Sequence, residues 1–168
     1  MDRPEKSSAG GSAQRTPVTF EDWHAIHTLL MTYAELVDSG RFAEAAAMFE
    51  HATYRASHDT DSGSAEPETH RGPTEVEAYM ARTRRYPDGT PRTKHVNTNV
   101  IVEVEGDSAT SRCYVTVLQQ TPTLPLQPVA AGRYLDRFER VDGNWRWADR
   151  LITGFLVGDT SQHKDPQR

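Results

Sequence analysis

Apolar residues recur at helical spacing from Phe20 onward, with Trp23, Ile26, Leu30, Tyr33 and Val37 on one stripe. Thr19 precedes an acidic first turn, Glu21-Asp22, and Gly40 follows the stripe, so a cap and a stop bracket a first helix. Phe42, Ala45, Ala46 and Phe49 keep the same spacing within residues 41–50 and predict a short second helix packed back on the first. Residues 52–57 read as a short strand, and the polar, Pro-containing run 58–72 as a loop. Thr74-Glu-Val-Glu77 has the spacing of a capping box and predicts a third helix reaching about Tyr86.

The period then changes to two. Val96, Thr98, Val100, Val102 and Val104 alternate with His95, Asn97, Asn99, Ile101 and Glu103; Glu105-Gly-Asp-Ser108 turns the chain, and residues 110–120 return. A second hairpin covers 132–140 and 144–155, turning at Val141-Asp-Gly-Asn144, and the Pro-rich run 121–128 joins the two hairpins as a loop. Helices first and long antiparallel strands afterwards predict an α+β domain, with the helices on one face of a curved sheet. We place the domain at 17–158, between a Ser/Gly-rich, charged segment 1–16 expected to be a disordered tail and a C-terminal tail 159–168. If the His95, Asn97 and Asn99 side faces a polar pocket, the valine row faces outward with no helix left to cover it. That predicts a homodimer packed sheet against sheet.

Composition narrows the partners. A net charge of −5 opposes a phosphate-binding surface, so nucleic acid is not expected. No apolar run approaches the roughly 20 residues of a membrane span, and Met1-Asp-Arg-Pro-Glu-Lys lacks a secretory core, so a soluble, cytoplasmic protein is expected. Cys113 is alone, which excludes an internal disulfide. Of the histidines at 24, 27, 51, 58, 70 and 163, His24 and His27 are three apart on a helix. Trp23, Ile26 and Leu30 make that surface a packing face, and no carboxylate set completes a metal site. There is no phosphate-cradling glycine loop and no nucleophile elbow.

The chemistry-bearing residues are Tyr33, Asp38 and His95, a phenol, a carboxylate and an imidazole. Elimination of water β to a carbonyl needs a base for the α-proton, an acid for the departing hydroxide and a donor for the enolate oxygen. His95 suits the base, Asp38 the group that fixes its tautomer, and Tyr33 or Tyr54 the donor. Arg150 is open to two roles, clamping a substrate carboxylate or phosphate, or neutralising Asp38. Each has a plainer competitor: Asp38 as a turn cap, His95 as an ordinary strand histidine, Tyr33 as core. Tyr54, Asn97, Tyr114, Gln119 and Tyr134 are lining candidates by strand parity, which a one-residue bulge reverses.

The helix ending Tyr33-Ala-x-x-x-Asp38-Ser-Gly, the run Met48-Phe-Glu-His-Ala-Thr-Tyr54, Thr93-Lys-His95, and Asp142-Gly-Asn-Trp145-Arg-Trp147-Ala-Asp-Arg150 together resemble the SnoaL-like branch of the nuclear transport factor 2-like superfamily. The resemblance covers residues 18–158 and implies a cone-shaped α+β fold, a curved antiparallel sheet with three helices enclosing a pocket that serves as the active site. Within the branch the chain is most similar to the scytalone dehydratase and bile-acid 7α-dehydratase types. That similarity implies an acid/base pair at Asp38 and His95, site residues at Tyr33 and Arg150, and a water-binding tyrosine at Tyr54. Val37 stands where the scytalone enzyme has a second tyrosine, and Gln119 or Gln120 near where it has another histidine, so scytalone is not the expected substrate. The expectation is a cofactor-independent, dehydratase-like lyase or isomerase acting on a hydrophobic, carbonyl-bearing polyketide, steroid or aromatic intermediate. A SnoaL-like polyketide cyclase and a non-catalytic small-molecule-binding protein are the alternatives.

Overall fold

The computed structural model describes residues 17–57 and 66–164; the segment 1–16, expected to be disordered, lies outside them. Helix α1 spans Phe20–Asp38, and the Thr19 hydroxyl accepts a hydrogen bond from the Asp22 amide at 3.1 Å, the expected cap. The chain leaves α1 through Gly40 at φ 72°, a left-handed conformation that favours glycine, and starts α2, Phe42–Ala47. Strand β1 is Thr53–Ala56. Strand β2, Glu68–Arg71, falls in the run read as loop. Its four residues are too few to show a period, and β1 supplies their hydrogen bonds.

Helix α3, Gly72–Met80, starts earlier and ends sooner than its sequence pattern predicts. Pro73 favours the first turn, and Glu75, not Glu77, reaches back to the Arg71 amide at 2.8 Å. The four long strands follow: β3 Thr93–Glu105, β4 Ser108–Thr121, β5 Leu124–Val141 and β6 Asn144–Val157. The Pro-rich run is therefore mostly strand, since β5 begins at Leu124 and pairs with Thr121 across a tight turn.

The sheet order is β2-β1-β6-β5-β4-β3, with β1 parallel to β6 and the other pairs antiparallel. The sheet is mixed, curved and unclosed. Ile26 and Leu30 of α1, Phe49, Val76 of α3 and Trp147 of β6 are fully buried between helices and sheet. Burying each such side chain contributes about 1.5–3 kcal/mol. Phe49 stacks on Trp147 at 4.9 Å between ring centres, which pins the turn after α2 to the sheet.

Two departures shape the interior. Between Thr98 and Ile101 the β3–β4 register slips by one residue at Asn99, whose φ is 54°. His95 and Asn97 therefore share the inner face with Val102, while Val96 (41% exposed) and Ile101 (44% exposed) share the outer face. The valine row expected to point outward is split by this bulge. Beyond β6, the described part of the expected C-terminal tail, residues 159–164, lies against the domain. The Arg84 amide donates to the His163 carbonyl at 2.9 Å, the Tyr86 hydroxyl to the Gln162 carbonyl at 2.8 Å, and Thr83 and Lys164 form a bridge.

Candidate active site

The last residue of α1 and the first residues of β3 meet at one carboxylate. Asp38 Oδ1 accepts from the Thr93 hydroxyl and from His95 Nδ1, each at 2.7 Å, while Oδ2 accepts from the His95 amide at 2.7 Å. An ionised carboxylate only accepts, so Nδ1 carries a proton, and in the neutral ring the lone pair is on Nε2. Burial works to raise the Asp38 pKa, but the His95 ring, the Thr93 hydroxyl and the His95 amide outweigh it and hold the group below its ordinary value. The carboxylate is thus charged and fully hydrogen-bonded on the side that faces β3.

His95 lines a cavity of about 140 Å³, walled by Tyr33, Tyr54, Tyr79, Tyr134, Phe155 and His163 among others. Tyr33 Oη and Tyr54 Oη are 3.0 Å apart. One phenol must donate to the other, which leaves a single O–H of the pair free to donate elsewhere. Burial raises the pKa of all four tyrosines; Tyr79 is pushed to about 12, and Tyr54 and Tyr134 go well above the phenol value. They remain protonated donors at neutral pH. Tyr33 is raised too, but Arg150 opposes the effect of burial there.

Arg150 itself is fully buried and does not pair with Asp38. Its Nε and Nη2 donate to the two oxygens of Asp136 at 2.8 and 2.9 Å, across the β5–β6 register that sets Asp136 opposite Arg150. Burial disfavours the guanidinium charge, and the Asp136 carboxylate more than restores it. The cation lies 4.3 Å from the Tyr33 ring centre and 4.2 Å from that of Tyr134, so it supports the tyrosine wall from behind.

The remaining candidates divide. Tyr54 and Tyr134 line the cavity. Asn97 lies on the His95 face, two residues further along, with both ends of its amide buried and without a partner among the described residues. Gln119 is buried but outside the cavity; its Nε2 donates to the carbonyls of Pro91, at 3.0 Å, and Gln162, at 3.4 Å. It borders a broader, open depression of about 810 Å³ on the far side of Asp38. Tyr114 is a correction: it is 47% exposed on the outer face, under the Arg133 guanidinium, because Cys113 and Val115 take the inward positions of β4. Sequence reasoning missed Thr93 as a partner of Asp38, although it begins the Thr93-Lys-His95 motif. It also missed Asp136, legible only as an inward position two residues after Tyr134, and the placing of His163.

A SnoaL-like domain model matches residues 18–150. No characterised protein matches the sequence significantly. Among solved structures, an NTF2-like protein with a cystatin-like fold from Novosphingobium aromaticivorans is 25% identical, with a TM-score of 0.59 over 84% of this chain and 86% of the other. A candidate scytalone dehydratase from the same organism is 20% identical, with a TM-score of 0.61 over 88% and 95%. A Mycobacterium tuberculosis protein of unknown function is 23% identical, with a TM-score of 0.62 over 79% and 73%. Three helices on a curved, unclosed sheet match the cone-shaped α+β fold of these structures, and the chain belongs to the SnoaL-like domain family.

Proposed function

We propose that the chain is a cofactor-independent lyase or isomerase that uses His95 as base and Asp38 as its charge partner on a small, carbonyl-bearing ligand. The observation that carries the reading is the Asp38–His95 pair at the wall of a cavity otherwise lined by tyrosines and apolar side chains. His95 Nε2 takes the proton from the carbon next to the carbonyl, and Asp38 stabilises the imidazolium formed. The electron pair moves onto the carbonyl oxygen, where the free phenol of the Tyr33–Tyr54 pair donates to it. For dehydration, the enolate collapses, the β carbon–oxygen bond breaks, and the hydroxide leaves with the His95 proton as water. For isomerisation the same proton returns at another carbon.

Cavity size bears on the substrate. About 140 Å³ is close to the roughly 150 Å³ that takes a benzene ring, which favours a single-ring aromatic intermediate over a steroid or a long polyketide. The test is a panel of single-ring β-hydroxy ketones and their enones, followed by mass spectrometry in deuterated water. Loss of water or deuterium at the α-carbon with wild type, reduced about 10²- to 10⁴-fold in both Asp38→Asn and His95→Ala, supports the reading. Binding without exchange in wild type refutes it in favour of a ligand-binding protein.

The outer face of the sheet supports a second part of the proposal, a homodimer. Val96, Ile101, Tyr114 and Leu135 are all exposed there, and among the described residues no helix covers them.

A further inference from the structure

We propose that His163 is a ligand-binding residue of the same cavity, a second imidazole carried in by the C-terminal segment to hold an oxygen of a single-ring ligand while His95 moves the proton. This deepens the reading above and rests on it. His163 lines the cavity together with His95, Tyr33 and Tyr54, although it lies beyond the last strand. Its place is fixed by the backbone. Its amide donates to the Thr160 carbonyl at 2.9 Å, its carbonyl accepts from the Arg84 amide at 2.9 Å, and the neighbouring Gln162 carbonyl is held by Tyr86 and Gln119. Among the described residues the ring has no matching hydrogen bond at Nδ1. Nδ1 is buried and has no partner among the described residues, a state that buried polar atoms avoid unless a ligand or water completes them.

The two imidazoles of the cavity face different surroundings. His95 has the Asp38 carboxylate on Nδ1 and can carry a proton. The His163 ring lines the cavity with His95 of β3 and Thr83, Lys164 follows it in the chain, Arg84 and Tyr86 bond the backbone of its segment, and among the described residues no carboxylate is bonded to the ring. Burial first, then His95 and Lys164, depress its pKa to about 4. A neutral ring accepts or donates one hydrogen bond without competing for the proton that His95 transfers. The division resembles a base paired with a neutral, positioning imidazole.

The experiment uses the full chain, phenol as a single-ring probe bearing one oxygen, and histidine ring signals in ¹³C NMR. Phenol is expected to shift His95 and His163 along one saturable curve. His163→Ala should weaken phenol at least about 5-fold, the worth of one neutral hydrogen bond, with Asp38–His95 signals unchanged. His163→Asn, whose amide puts a polar atom as many bonds from the backbone as Nδ1, should bind within about 2-fold of wild type. A merely structural histidine would lower stability in both variants and leave affinity alone. Phenol moving His95 but not His163, or binding His163→Ala as tightly as wild type, overturns this inference and leaves the Asp38–His95 reading standing. Phenol moving neither ring overturns both. Should His163→Ala fail to fold, the wild-type shifts and His163→Asn still decide.

Discussion

At the scale of residues, the dyad depends on Thr93 as well as on its two members, because the Thr93 hydroxyl and the His95 ring share one oxygen of Asp38. Thr93→Val keeps the shape and removes one donor to the charged form, so the Asp38 pKa should rise toward its ordinary value and stability at pH 7 should drop by about 0.5–1.5 kcal/mol. Urea unfolding and a carboxylate titration by NMR check both. His163 gives a second pH effect. Unfolded, it takes a proton near 6.5; folded, near 4. The unfolded chain therefore binds the extra proton, so this contribution is complete above pH 6.5 and is lost as pH falls toward 4, by about 3 kcal/mol in all. Asp38, depressed in the folded state, keeps its contribution down to its unfolded value and loses it only at lower pH. Stability measured between pH 7 and pH 4.5 should fall in wild type and stay nearly flat in His163→Asn. Asp38, His95 and Tyr33 were legible from sequence because each sits at an element end or on a stripe. Asp136 and His163 were not, because their places come from cross-strand register and from a chain end that has no period.

At the scale of elements, the end of α1 decides where Asp38 points. Gly40 is left-handed, and a Cβ there would run into the Gly89 carbonyl oxygen, so Gly40→Ala is expected to cost more than about 1 kcal/mol and to reduce turnover by displacing Asp38. Thermal unfolding and the deuterium-exchange assay read the two effects separately. The β5–β6 pair carries the other constraint. Asp136→Asn leaves the buried Arg150 cation uncompensated and should cost about 3–5 kcal/mol, whereas Asp136→Leu together with Arg150→Met removes both charges and should recover most of the loss. A double-mutant cycle in urea separates these outcomes. Recovered stability with poor turnover would show that the pair serves the tyrosine wall. Helix α1, the hairpin turns and the strand period were legible because their signals are local. Strand β2, the early start of β5 and the bulge at Asn99 were not, since each is fixed by the partner strand it meets.

At the scale of the molecule, the order of elements was enough to place helices on one face of a curved sheet, but not to show β1 running parallel beside β6. The bulge between Thr98 and Ile101 changes which side chains of β3 reach the outer face. The valines do not form a continuous outer row, yet Val96, Ile101, Tyr114 and Leu135 come together on β3, β4 and β5 at 37% to 47% exposure. Arg112 stands between Ile101 and Leu135 in the sheet register and the Arg133 guanidinium lies over the Tyr114 ring, so an isologous contact here would bring guanidinium groups in with the apolar side chains. Sedimentation at micromolar concentration should give a dimer. Ile101→Glu and Leu135→Arg, each on the outer face and away from the cavity, should give monomers that keep the fold by circular dichroism. A wild-type monomer, or dimers that survive both substitutions, would place the interface elsewhere and leave the cavity chemistry to a single copy.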